Sequence, residues 1–460
     1  MGAGAHSYAR AAQPRVPGRA PIAWLAGIAS APLRLGYMIV GIGFLGALAL
    51  ATMVPGHKST ALAAVSCAPV FLVALRRISA VTLALIPVMV LSSEPLHSTL
   101  PATFLVVVLA MAAIVLICMG SLRARPPHLW VAVLGATVLL GYFFPVDPLV
   151  PAGGVLPDLI SLLGGLVALT VFISAPPSAG ALLRVILVTG TVVGAVASTQ
   201  ADNLEGRLQG LGLNPNYLAV YLAAPIVISA GLAFRRRNPL WLAPGAACLP
   251  ALLASQSREG FLAMVAGLAF VLIQGLPRVQ RVPIILAAAL ILVVSPGHLT
   301  SLGAGSRSAA DLTGDNLVRV HVALFAVRVA LSHPLLGIGL GQFPDYAAAS
   351  SSFGIYITTT NEYLLLASEN GLIALAAFLV MLWLAFRGRC HGDMALVRAV
   401  LVTFAVSFLF MDSFESSLVA LPFWACLGVL LAHRPDQYGM ESAASPGAGG
   451  KEISRWLTAR

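Results

Sequence analysis

Four stretches of this chain carry residues whose types and spacing could do chemistry. In SQSREG, Ser257, Arg258 and Glu259 set a cation beside an anion where the chain turns between two apolar runs. Such an arginine either snorkels with Glu259 as its partner or forms an anion site, since a guanidinium fork matches phosphate oxygens bidentately. In EGRLQGLGLNPNYLA, Arg207 precedes Asn214 and Asn216, which flank Pro215 at the start of another apolar run. Asparagine caps helix starts and proline suits the first turn, so capping accounts for that pair, whereas Arg207 has no such explanation. The stretch DNLVRVHVALFAVRVALSHPLLGIGLGQF offers Arg319 and Arg328 nine residues apart, on opposite sides of a regular helix at about 100° per residue. Its glycines Gly337, Gly339 and Gly341 lack the G-x-G-x-x-G spacing and the strand–turn–helix context of a nucleotide loop, and read as a tight turn. His321 and His333 have no third ligand in register, so no metal site is expected. Finally, TTTNEYLLLASENGLIALAAFL brings Thr360, Asn361 and Tyr363 to the mouth of a long apolar run, with Glu369 about two turns inside. An unpaired carboxylate is costly there, so Glu369 is expected to face the interior and meet a cation, Arg258 or Arg319.

The elements that must position these residues are membrane helices. Of 460 residues 59% are apolar and only 10% charged, which excludes a soluble enzyme, a disordered chain and a disulfide scaffold. The five cysteines have neither metal-ligand spacing nor a disulfide pattern. Apolar runs predict an all-α, polytopic transmembrane bundle of about 12–14 spans. They fall near 35–55, 60–75, 79–92, 102–119, 129–144, 157–174, 181–199, 217–234, 240–255, 258–276, 283–296, 362–387, 395–411 and 418–433. With the amino terminus inside, the loops expected to be cytoplasmic hold 21 of the 27 basic residues, as orientation requires. The net charge of +10 therefore says nothing about nucleic acid, and none is expected as a partner. Lys58, Arg207, Arg258, Arg307, Arg319 and Arg328 remain on the outer side, and 13 of the 17 acids join them.

The expected organisation is a cytoplasmic tail with a possible interfacial helix at 1–34, a first membrane block at 35–296 and a large external loop at 297–361. C-terminal membrane helices follow at 362–433 and a disordered cytoplasmic tail at 434–460. Within the external loop, Leu317, Val320, Leu324, Val327 and Leu331 recur at helical spacing, as an amphipathic helix lying on the bilayer requires. The chemistry is expected at that outer face.

The order of these motifs resembles the O-antigen ligase/polymerase family of bacterial membrane glycosyltransferases. NPNYLA is similar to the family's Asn-Pro-Asn stretch, and SQSREG to its Ser-Arg turn, with Glu259 where a glycine usually follows. Arg319 precedes Pro334 of HPLLGIGLGQF as a family arginine precedes its Pro-Leu-Leu-Gly-x-Gly segment, although Ala323 stands where the family often has tryptophan. TNEYLLLASENG matches His-Asn-x-Tyr-Leu…Glu-x-Gly at Asn361, Tyr363, Leu364, Glu369 and Gly371, but holds Thr360 at the histidine position. The resemblance implies transfer of a glycan en bloc from a polyprenyl-diphosphate-linked oligosaccharide to an acceptor glycan, lipid or protein. It implies an inner-membrane protein with both termini cytoplasmic, an external active site, and neither cofactor nor metal. Arg258, Arg319 and Glu369 would be catalytic, the two arginines holding the diphosphate. Arg207, Asn214, Asn216, Ser257, Thr360, Asn361 and Tyr363 would contact substrate. The family's histidine is its candidate base. With threonine there, Glu362, Glu369 or His321 could deprotonate the acceptor, or leaving-group stabilisation could suffice. A catalytically impaired glycan-binding envelope component and a polysaccharide transporter or flippase are the alternatives.

Overall fold

The computed structural model of the chain describes residues 126–274 and 309–433 apart from a few short internal stretches, together with Leu83 and Ile86. The tails, the spans expected before residue 126 and the span at 283–296 lie outside the described residues. Eleven α-helices are present among those described. They are α1 (Pro126–Phe143), α2 (Leu156–Ser174), α3 (Ala179–Ser198), α4 (Pro215–Arg236), α5 (Ala243–Ala254) and α6 (Arg258–Gln274). Then come α7 (Ala309–Ser332), α8 (Phe343–Ala349), α9 (Glu362–Phe386), α10 (Gly392–Ser407) and α11 (Ser417–Ala432). Five of them, α1–α4 and α9, are long and apolar enough to cross a membrane. The exception to the all-α expectation is a two-residue antiparallel pairing, Asn203–Leu204 with Arg207–Leu208, in the connection from α3 to α4.

Helix ends fall where the sequence stops favouring helix. Ser178 caps α3 through its hydroxyl, Asn214 caps α4 with Pro215 at its first position, and Asn361 caps α9 by accepting from the Leu364 amide at 3.0 Å. The apolar run expected at 240–255 begins as a 3₁₀ turn, Pro239–Leu242, before continuing as α5. Helix α4 is central, with Tyr221, Val220 and Ala224 fully enclosed between its neighbours. Small residues let helices approach: a side chain at Gly165 would strike Trp424, and one at Gly190 would strike Pro225. Trp424 belongs to an aromatic cluster with Phe378, Phe408, Phe414 and Phe423 that joins α9 and α11 to the connection that follows α10.

Two features set the site. The first is α7, which carries two apolar stripes. Val322, Ala326 and Val329 pack inward on Ile338, Phe343 and Ala347, while the outward stripe of Leu317, Val320, Leu324, Val327 and Leu331 is exposed. The outward face is the one the sequence assigns to a bilayer surface. The second is a break in α9 at Gly371, whose φ of 83° and ψ of 170° belong to glycine. Interrupting the ladder frees the carbonyls of Ser368 and Glu369, which accept the amides of Ile338 and Gly339 at 2.9 and 3.0 Å, and Leu372 donates to the Pro334 carbonyl at 2.8 Å. The Pro334–Gly341 segment is thus a backbone plug seated in a broken helix. Its glycines make close approach possible, since a Cβ on Gly371 would lie 2.1 Å from the Leu335 carbonyl oxygen.

Candidate functional site

The connections expected on the outer face meet at one end of the bundle. Arg207 donates through Nε to the Ser255 carbonyl at 2.9 Å and through Nη2 to Asn216 Oδ1. Arg258, at the first turn of α6 and only 7% exposed, donates to Asn316 of α7 at 3.1 Å. The neighbouring Glu259 turns the other way and accepts from Arg319 Nη1 at 2.5 Å, while its second oxygen accepts from the Ser257 hydroxyl at 3.0 Å. Arg319 Nη1 also donates to the Phe410 carbonyl at 3.3 Å. Arg319 is thus held by a buried carboxylate, and Arg258 by an asparagine one turn before Arg319 on α7. Nε and Nη2 of Arg319 make no hydrogen bond to a described residue, and the side chain keeps 30% of its surface open. An oriented guanidinium edge left open in this way suits a tetrahedral anion.

Asp412, in the loop between α10 and α11, lies next to this cation. It accepts from the Thr358 hydroxyl at 3.2 Å. Burial pushes its carboxyl from the ordinary 3.8 up to about 6, and its own backbone amide, the Thr358 hydroxyl and the Arg319 charge keep it from rising further. Thr358 also lines a cavity of about 360 Å³ whose wall includes Asp158, Glu362, Glu369, Asn370 and Tyr356.

Several sequence expectations change here. Glu259 belongs to Arg319, not to its chain neighbour Arg258. Glu369 also takes up a helix start: one of its oxygens accepts the Phe343 amide at 3.1 Å, at the start of α8, where a carboxylate matches the unpaired amides and dipole. Glu362 accepts the Phe414 amide at 3.1 Å. Tyr363 donates to the Ala405 carbonyl at 2.8 Å, tying α9 to α10, and Asn361 caps α9 while donating to the Leu409 carbonyl at 3.1 Å. Asn214 and Asn216 combine capping with the hold on Arg207. Thr360 is half-buried beside these residues. His321 and Arg328 lie exposed on α7, away from Glu259. Sequence reasoning passed over Asp412, Asp158 and Asn370. For Asp412 a signal was present, a lone carboxylate in the phenylalanine-rich run FLFMDSF, where burial and a raised pKa are to be expected.

The fold and site together define a helical membrane protein with buried and half-buried arginines gathered at one end of its described bundle. Residues 243–379 match the family model described as O-antigen ligase. That interval runs from α5 to the middle of α9 and contains Arg258, Arg319 and Glu369. No curated protein matches the sequence.

Proposed function

We propose that this protein transfers a glycan en bloc from a polyprenyl diphosphate to an acceptor hydroxyl at the external face of the bacterial inner membrane, in the assembly of a cell-surface polysaccharide. In this reading it is a multi-pass protein with both termini cytoplasmic. The observation that carries the proposal is the oriented, half-open guanidinium of Arg319, held by Glu259 within one helical turn of the buried Arg258. The acceptor oxygen attacks the anomeric carbon, the bond from that carbon to the diphosphate oxygen breaks, and the electron pair leaves with the diphosphate. Charge developing on the leaving group is stabilised by Arg258 and Arg319, which are already in place and need little reorganisation. The proton from the acceptor hydroxyl goes to Asp412. A carboxyl raised to about 6 is mostly ionised at neutral pH yet basic enough to help, so it answers for the histidine that Thr360 replaces.

The test is glycan transfer from a synthetic polyprenyl-diphosphate oligosaccharide in proteoliposomes. Arg258→Ala is expected to lower the rate at least about a hundredfold, as loss of a charge-stabilising donor does. Arg319→Lys keeps a charge beside Glu259 but removes the planar fork, and is expected to lower the rate by a similar factor with normal membrane insertion. Wild-type rates in both variants would end the diphosphate-clamp reading.

A further inference from the structure

The acidic cavity sits one residue away from the proposed chemistry. Thr358 lines it and donates to Asp412, which in turn lies in the field of Arg319. A molecule in the cavity would therefore present a group to Asp412 from the side of Thr358, while the diphosphate lies along the arginines. We propose that the cavity is the acceptor's sugar subsite, taking an uncharged, hydroxyl-rich ring and rejecting an acidic one. This assignment rests on the glycosyl-transfer reading above and gives it a substrate class.

Three observations carry it. The cavity, at about 360 Å³, falls within the range of small-molecule sites, about 300–1,000 Å³. Its charged lining among the described residues is wholly negative: Asp158, Glu362 and Glu369, the two glutamates almost fully buried. Carboxylates accept from sugar hydroxyls, whereas a uronic acid or a phosphorylated sugar would bring like charge into a poorly solvated space. The third is Asn370, which lines the cavity at 2% exposure with a side-chain oxygen that has no hydrogen-bond partner. Buried amides are ordinarily satisfied, so an unmatched one beside a cavity points to a polar ligand. Apolar walls from Leu162, Leu340 and Phe414 suit the C–H faces of a ring, and the exposed Tyr356 stands at the rim. Glu369 owes its place in this wall to the break at Gly371, and Gly341 comes from the plug that fills that break.

The purified full-length protein in detergent, probed by saturation-transfer difference NMR with methyl glucoside and with methyl glucuronide, tests the assignment. The neutral glycoside is expected to bind at least about tenfold more tightly than the acidic one. Asn370→Leu and, separately, Tyr356→Ala are expected to weaken the neutral glycoside at least about fivefold. The second change, at an exposed rim position, leaves the core untouched, so the pair separates a binding loss from misfolding. Arg319→Lys should lose transfer yet bind the neutral glycoside as the wild type does. Equal affinity for both probes, no signal from either, or wild-type binding in both cavity variants would overturn the sugar subsite even if transfer depends on the arginines. Selective glycoside binding by a protein that never transfers glycan would instead remove the glycosyl-transfer reading, and the acceptor role with it.

Discussion

Arginines at the two ends of this bundle do different work, although sequence alone presents them as one residue type in one excess. At the end formed by the α4–α5 and α9–α10 connections, Arg235 pairs with Asp393 at 3.0 Å, with side chains 39% and 43% exposed. Arg236 lies over Trp241 and Arg387 over Trp383, at 4.5 and 5.1 Å from the ring centres. Arg398 donates to the carbonyls of Ala385 and Gly388 at 3.0 and 3.1 Å, closing the carboxyl end of α9. Arg235, Arg236 and Arg387 are met by a surface carboxylate and by rings, and the buried Arg398 is met by the carbonyls at the end of a helix. At the opposite end Arg207, Arg258 and Arg319 are drawn into the structure by carbonyls, asparagines and one buried carboxylate. Burial of charge is expensive unless the partners are fixed, and here they come from α4, α6 and α7 and from the α5–α6 and α10–α11 connections. The difference separates cations that cap helices and cover rings from cations held through α4, α6 and α7.

Breaking the buried pair should have the largest effect on stability. Glu259→Ala is expected to cost about 3 kcal/mol, near the lower bound for breaking a buried ion pair because Arg319 retains contact with solvent. A thermal melt in detergent measures it, and an unchanged melting temperature would place this pair with the surface ones. A pH effect follows at Asp412. Its folded pKa is raised, so the neutral form's contribution to stability is fully present below about 3.8 and is lost as pH rises through about 6. Asp412→Asn should therefore gain stability relative to the wild type as pH rises across that window. Transfer by the wild type should climb over the same interval while the variant stays inactive. A rate profile flat from pH 5 to 7 would remove Asp412 from the chemistry. The smallest effect belongs to the other end: Arg235→Ala should shift stability by no more than about 0.5 kcal/mol and leave transfer unchanged. A large loss there would erase the contrast.

Much of the helical frame was legible in the sequence. The run expected at 157–174 is α2 at Leu156–Ser174, and that at 362–387 is α9 at Glu362–Phe386, because apolar runs stop at caps, prolines and charges that are local in the chain. Arg258 and Arg319 were also legible, as charged residues at the borders of apolar segments. Their partners were not. Glu259 lies next to Arg258 in sequence, and adjacent residues on a helix diverge by about 100°, so which cation it meets depends on how α6 packs against α7. The α9 break was hidden for a similar reason. A single glycine in an apolar helix usually passes unnoticed, and only a segment 30 residues away, supplying amides to the freed carbonyls, turns Gly371 into a discontinuity.

That discontinuity has a consequence for how the protein could diversify. The cavity wall at Glu369 and Gly341 is shaped by a joint in the main chain, with its hydrogen bonds made by backbone amides and carbonyls and not by side chains. A rim side chain such as the exposed Tyr356 lies outside that frame and can be exchanged without breaking the joint. A chain built this way can change which ring it admits by altering a few side chains, while a single added methyl at Gly371 would meet backbone and spoil the frame itself.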